Sequence, residues 1–186
     1  MLSYTFYCQQ YALGVFFEYR DFIAWIEERN EYKKVPSPVT ESIKYAVYAF
    51  ACLGTFSVGA GLFPISHCYT LEFANETSLA YKLYYTFFAG FFVHYFYYIA
   101  FEFQTGAVIA SGLGYNGRKE VSEASGDTID PKNPDQLGDH QWDKFIGVYL
   151  VECELATNAN AVLKNWNYRV HVWLKHYISE RLTGKG

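Results

Sequence analysis

Apolar and polar positions fall into long blocks along the chain, and the blocks predict helices. Residues 43–63 run apolar for about the twenty residues that a bilayer crossing requires, with Lys44 at the edge. A second apolar block covers residues 83–101 and continues through 104–109, so a second membrane helix is expected over 83–111, ending in a glycine-rich turn at 112–117. Gly54, Gly59 and Gly61 offer the small surfaces on which membrane helices approach closely. Residues 3–29 read as an amphipathic, aromatic helix or helix pair interrupted near Gly14. Residues 30–42 are polar, and Pro36-Ser37-Pro38 stops any helix there, so 1–42 forms an amphipathic lead-in segment. Residues 64–82 read as a short polar connection, and 118–142 as a polar loop rich in Asp, Gly and Pro. Residues 145–156 are apolar but too short to cross, which predicts a re-entrant or tilted helix at the start of a final region, 144–182. The fold class is therefore all-α, a polytopic membrane protein forming part of a helical bundle. No internal repeat is evident.

That last region carries the most informative pattern. Leu163, Trp166, Asn167, Val170, Leu174, Tyr177 and Ile178 recur at helical spacing and predict one continuous helix with an asparagine set into its apolar stripe. An amide in such a place needs hydrogen-bond partners, because leaving it unpaired costs roughly 1–3 kcal/mol. Spacing alone favours a packing role, with Asn167 bonded to a neighbouring helix. His171, one turn later, is placed to hydrogen-bond to Asn167. His94, Tyr98 and Glu102 follow one another at four-residue intervals in the second apolar block. Ionisable groups inside a membrane are costly and commonly line a cavity. A mutually bonded trio locking two helices explains the same spacing equally well.

Composition changes this picture only in detail. Hydrophobic residues make up 51% of the 186 and aromatics 20%, the latter carried by 18 Tyr and 16 Phe. Mean hydropathy is nevertheless −0.06. Tyrosine reconciles the two, because hydropathy scales count it as polar although its ring suits a membrane interface. A net charge of −4 gives no reason to expect nucleic acid as a partner. Cys8, Cys52, Cys68 and Cys153 have no metal or redox spacing and read as small buried residues. No cleavable secretory signal is evident. Arg20, Arg29, Lys33, Lys34 and Lys44 precede the first apolar block, which orients the N-terminal segment to the cytosol and 64–82 to the far side. A glycosylation sequon, Asn75-Glu76-Thr77, lies in that far-side connection.

Several of these segments share a resemblance. Trp166-Asn167, Val170-His171 and Trp173-Leu174, with the basic aromatic tail through Arg181, resemble the asparagine motif of the membrane-bound O-acyltransferase family. Glu154-Leu155-Ala156-Thr157 is similar to the Glu-x-Ala-Thr of its lysophospholipid branch. Tyr97-Tyr98-Ile99-Ala100-Phe101, leading through Ser111-Gly112-Leu113-Gly114-Tyr115-Asn116-Gly117, resembles that branch's aromatic helix and glycine turn. Gly14-Val15-Phe16-Phe17-Glu18-Tyr19-Arg20-Asp21-Phe22 resembles its Gly-Pro motif, with valine where proline is usual.

The resemblance implies acyl transfer from acyl-CoA, a co-substrate rather than a bound cofactor, to the hydroxyl of a membrane lipid. A lysophospholipid is the expected acceptor and the endoplasmic reticulum the expected membrane. No metal is implied. Asn167 takes the place of the catalytic asparagine, and Glu154, Trp166, His171, Trp173, His94, Tyr98, Glu102, Tyr115 and Asn116 become candidates for the substrate tunnel. The family's catalytic histidine follows the asparagine by some dozens of residues. His67, His94, His140, His171 and His176 all lack its context. The chain thus reads as the middle of such a protein (a truncated gene product, an isoform or a degenerate copy) and is expected to be inactive alone. A catalytically silent lipid-binding or scaffold subunit is the alternative, as is a fragment of a transporter. Val170-His171-x-Trp173 also keeps a neutral-lipid or sterol acceptor open.

Overall fold

The structure, a computed structural model, describes residues 2–5, 7, 16–75, 77–120 and 137–184. Cys8, Gly14, Val15, the sequon's Glu76 and most of the polar loop lie outside the described residues. The helices are α1 (Leu2–Thr5), α2 (Tyr19–Ile26), α3 (Val39–Leu62), α4 (Leu71–Asn75), α5 (Leu79–Ala110), α6 (Leu150–Glu154), α7 (Ala159–Asn165), α8 (Tyr168–Leu174) and α9 (Glu180–Leu182). Short 3-10 turns occupy Asn30–Lys34 and Ile65–Tyr69, and a π-turn covers Lys175–Ser179 between α8 and α9. The chain divides into two compact units, one of residues 44–103 and one made from 1–43 with 104–186.

The first unit contains most of the two long helices. Pro38 sets the start of α3, and Val39–Leu62 is, among the described residues, the one helix long and apolar enough to cross a bilayer. α5 has 32 residues, length enough to span, but its tyrosines hold its hydropathy down. Its continuity fits the expected second block. The connection between them is more ordered than a polar loop, because the Ile65–Tyr69 turn and α4 fold onto α5. Phe73, Tyr85 and Ala89 form a small core there, with Phe63 packed against it, and the Tyr85 hydroxyl donates to the Pro64 carbonyl at 3.1 Å. Of the three glycines expected at a helix contact, only Gly59 makes one. A Cβ at Gly59 would lie 2.0 Å from Cγ of Phe92, whereas Gly54 and Gly61 face open space. Val47, Phe50, Val58 and Leu62 on α3 and Phe87 and Phe96 on α5 are exposed, leaving apolar flanks suited to lipid.

The second unit is held by aromatic packing and one charge cluster. Phe22, on the apolar side of α2, meets Tyr4, Tyr7, Phe17 and Trp25 at ring separations of 5.5 to 6.1 Å. Phe17 continues the packing onto Phe145 at 5.8 Å. Hydrogen bonds then tie the lead-in segment to the end of α5. The Trp25 indole donates to the Ser111 carbonyl at 3.1 Å, Tyr32 to Leu113 at 2.9 Å and Ser42 to Gly106 at 2.9 Å. Gly112 ends α5 at φ +82°, a left-handed conformation that glycine adopts without a side-chain clash. Lys144 gathers the charge cluster. It bonds Glu31, lies 3.6 Å from Asp21 and rests 4.7 Å from the centre of the Tyr32 ring. Burial works against the Glu31 charge, but the Lys144 bond and charge outweigh it and hold the carboxyl below its usual range. Burial raises the Tyr32 hydroxyl to about 12, so it stays a donor at physiological pH.

The structure is mostly helical, in keeping with the all-α expectation, and two expectations need correction. Inside the expected polar loop, Arg118–Glu120 (β1) pairs antiparallel with Leu137–His140 (β2), a short exception to the helices. Bonds from Asn116 N to Gln141 O and from Gln141 N to Gly117 O, at 2.9 and 2.8 Å, extend the pairing to the glycine turn. The re-entrant helix over 145–156 shrinks to α6, because the backbone at 147–149 is bonded elsewhere. Finally, the continuous helix over 163–178 is broken at Trp166 and Asn167.

Two outcomes follow for stability in detergent. Gly59→Ala lowers the melting temperature by the equivalent of about 1–3 kcal/mol of overpacking, while Gly54→Ala is neutral or mildly stabilising. Lys144→Met leaves two carboxylates without their counter-charge and costs on the order of 2 kcal/mol. Because the Glu31 carboxyl is depressed in the folded state, its contribution is fully present above the unfolded value of 4.5 and is lost as pH falls through the lower folded value. Melting curves taken against pH should therefore show the gap between Lys144→Met and the parent closing only in acid.

Candidate functional site

The break in the motif region is built from the backbone. Asn158 caps α7 by accepting from the Ala161 N–H at 2.9 Å, and the helix ends at Asn165. Trp166 is extended, with φ −76° and ψ 126°, and Asn167 takes a left-handed conformation, with φ 48° and ψ 50°. α8 then starts at Tyr168. The segment 147–149 brackets this turn, since Tyr149 N–H donates to the Asn165 carbonyl at 3.2 Å and Tyr168 N–H donates to the Gly147 carbonyl at 2.8 Å. The Tyr149 and Tyr168 rings meet edge to face at 5.1 Å. The apolar stripe read from spacing therefore does not form. Its members lie on separate short helices, and Leu163 is 66% exposed.

Asn167 is half-buried, and among the described residues its side-chain amide makes no hydrogen bond. The packing role favoured by spacing thus has no bond behind it here. His171 does not bond to that amide either. What joins them is the helical backbone, His171 N–H to the Asn167 carbonyl at 3.2 Å.

Two residues beyond Asn167, Arg169 turns toward the lead-in segment. Its Nε–H donates to the Phe16 carbonyl at 3.1 Å, and its guanidinium lies 4.9 Å from the centre of the Phe145 ring. A cavity of about 380 Å³ opens alongside, between residues 16–19 and the face of α8 and its π-turn. One wall is a run of stacked rings: Phe16 on Trp173 at 5.7 Å, and Trp173 on Tyr177 at 5.6 Å. Glu18 and Arg169 are its charged lining groups, beside His176, which is bonded to Glu180 at 2.8 Å.

The other candidates are distributed differently from their spacing. Trp166 and His171 are half-buried beside Asn167, and Trp173 lines the cavity. Glu154 is half-buried at the end of α6, while Glu152 is exposed. Tyr115 is buried and its hydroxyl is 2.8 Å from Nδ1 of His140, whereas Asn116 is exposed and donates to Asp143 at 2.9 Å. His94, Tyr98 and Glu102 do not form one polar face. His94 is exposed, Tyr98 and Glu102 are buried, and Oε2 of Glu102 makes no hydrogen bond among the described residues. Of the cysteines, Cys52 and Cys153 are buried and Cys68 is half-buried. Arg169, Phe16 and Glu18 were not singled out from sequence as site residues. Phe16 and Glu18 lie in a segment that carries the family resemblance, but the 153-residue separation of Phe16 and Arg169 leaves no periodic trace.

The family model of the membrane-bound O-acyltransferases matches residues 1–186, and the chain belongs to that family. It is similar to "Lysophospholipid acyltransferase 1" of Arabidopsis thaliana, 28% identical over 99% of this chain and 38% of the relative. The "Lysophospholipid acyltransferase" of Saccharomyces cerevisiae is 23% identical over 100% of this chain and 30% of its own length. Human "Membrane-bound glycerophospholipid O-acyltransferase 2" is 24% identical over 98% of this chain and 35% of its own length. The chain thus spans about a third of the length of the curated relatives it matches.

The backbone at Asn167 has a direct test. Asn167→Gly keeps the left-handed turn and melts close to the parent. Asn167→Val, with a branched side chain in that conformation, costs on the order of 1–2 kcal/mol more. Equal melting of the two variants would show that the turn does not hold this conformation.

Proposed function

We propose that the protein containing these residues is an acyl-CoA-dependent O-acyltransferase that reacylates a lysophospholipid in the endoplasmic reticulum membrane. The names of the relatives support the acceptor class, and family membership supports the membrane setting. In the reaction the acceptor hydroxyl oxygen attacks the thioester carbonyl carbon. The carbon–sulfur bond breaks, and the proton lost by the hydroxyl ends on the departing thiolate. An uncharged hydroxyl is a weak nucleophile, so a base must take its proton during attack. By the family resemblance that base is a histidine, and His67, His94, His140, His171 and His176 all lack its context.

Asn167 supplies the other half. The observation that carries this role is its half-buried amide, left without a hydrogen bond among the described residues while the backbone on both sides is fixed by 147–149. An amide N–H held in place before the reaction can donate to the oxygen that becomes negative as the tetrahedral intermediate forms. Trp166, His171, Trp173 and Glu154 are assigned to the walls around it. Tyr115, Asn116, His94, Tyr98 and Glu102 remain candidates for the path of the acyl chain or the acceptor.

The test uses the full-length protein in detergent or nanodiscs, with radiolabelled acyl-CoA and a lysophospholipid. Asn167→Gly is expected to retain the parent's melting temperature yet lower kcat by about 10²- to 10³-fold, the loss typical of removing one such donor. Unchanged turnover in Asn167→Gly would sink the catalytic assignment. Absence of transfer in the parent protein would favour a lipid-binding subunit instead.

A further inference from the structure

The cavity beside α8 carries an aromatic wall and two opposite charges, Arg169 and Glu18, and nothing in the acyl-transfer step uses those charges. Arg169 hydrogen-bonds through Nε to the Phe16 carbonyl and lies over the Phe145 ring; the charges of Asp21 and Glu18 act on it, but among the described residues no carboxylate lies within ion-pair distance of its guanidinium. A half-buried guanidinium with its outer N–H groups unspent is suited to a phosphate, which it can grip through two parallel hydrogen bonds. Glu18 stands on the other side of the same cavity. Its partner is Arg20 at 3.4 Å, with side chains 44% and 83% exposed, a surface pair that contributes little and is readily exchanged. Around Glu18 and Arg169 stand the rings of Tyr19, Trp173 and Tyr177. Aromatic faces beside a carboxylate are a receptor for an organic ammonium. At about 380 Å³ the cavity is within the range of small-ligand sites.

We propose that this cavity binds the head group of a zwitterionic lysophospholipid, with its phosphate on Arg169 and its ammonium against Glu18 and the neighbouring rings. The proposal rests on the acyltransferase reading for the identity of the acceptor and adds the residues that choose its head group. Glu18 disfavours heads that carry negative charge alone, including the phosphates of CoA. Arg169 disfavours neutral acceptors that have no phosphate. The pair makes the site a selector for a phosphate and an ammonium together.

The experiment is equilibrium binding of radiolabelled lysophosphatidylcholine, below its micelle concentration, to the full-length protein in nanodiscs. Monoacylglycerol, lysophosphatidic acid and CoA serve as competitors. The parent should bind lysophosphatidylcholine at least tenfold more tightly than monoacylglycerol or lysophosphatidic acid. Arg169→Gln should weaken lysophosphatidylcholine about tenfold and leave monoacylglycerol unchanged. Glu18 is exposed and its side chain caps nothing on α2, so Glu18→Gln keeps the test sound even if Arg169→Gln fails to fold. In that variant the preference for lysophosphatidylcholine over lysophosphatidic acid should fall severalfold. An unchanged preference in Glu18→Gln, equal binding of monoacylglycerol by the parent, or competition by CoA that depends on Arg169 would each overturn the proposal. Selective binding without acyl transfer would overturn the enzymatic reading and leave the head-group site standing. Transfer without this selectivity would do the reverse.

Discussion

A helix cannot run through a residue held at φ 48° and ψ 50°, and that constraint at Asn167 organises the C-terminal part of the chain. The left-handed conformation costs an L-residue roughly 1–2 kcal/mol, less for asparagine than for most. Two backbone hydrogen bonds to 147–149, each worth about 1 kcal/mol net, together with the Tyr149–Tyr168 contact, are enough to offset it. Without the break, the residues after Asn167 would continue the axis of α7. With it, α8 starts in a new direction and delivers Arg169 to the Phe16 carbonyl and Trp173 to the Phe16 ring.

The partner surface for α8 has to be in place independently, and the Lys144 cluster does that work. Asp21 on α2 and Glu31 in the following turn converge on one ammonium next to Phe145, while Phe17 packs on the same phenylalanine ring from the lead-in side. Phe17 is therefore positioned by contacts that do not involve α8, while Phe16 beside it is held on α8 by Arg169 and Trp173. The cavity lies between the lead-in segment and α8, two walls that the Arg169–Phe16 bond and the Phe16–Trp173 stack join at one edge.

Which parts were legible in the sequence follows from what each depends on. α3 was expected over 43–63 and is found over Val39–Leu62, because an apolar run behind a proline is determined locally. α5 was legible for the same reason, and its end was legible because Gly112 is needed where φ turns positive. The motif helix was misread because periodicity is summed over a window. α7 and α8 each keep the helical period, so a single break between them leaves the pattern intact. The signal that remained was Asn167 itself, a weak helix former and one of the few residue types that tolerate positive φ, but a single such residue within a periodic run does not by itself mark a break. The β1–β2 pairing was hidden because residues 137–140 contain neither alternation nor β-branched residues; the pairing stands on the glycine turn and Gln141 instead. The polar trio on α5 separated since four-residue spacing drifts around a helix, and over eight residues the drift carries His94 to an exposed side.

In the proposed reaction the two polar groups near the break have different electrostatic tasks, and their chemistry suits the division. A permanent cation stabilises a phosphate equally before and during reaction, so Arg169 contributes to binding and not to the barrier. An amide is neutral at every working pH and gains most when a charge develops opposite it, as it does on the thioester oxygen. A cation in the place of Asn167 would draw the phosphate of the acceptor to the reacting carbon, where it does not belong. Setting a neutral dipole at the chemistry and a fixed charge two residues along, on a helix whose direction the left-handed turn determines, keeps head group and hydroxyl in separate places. On the proposed reading, the left-handed backbone at Asn167 serves both tasks, fixing where the amide projects from and the direction in which α8 carries the charge.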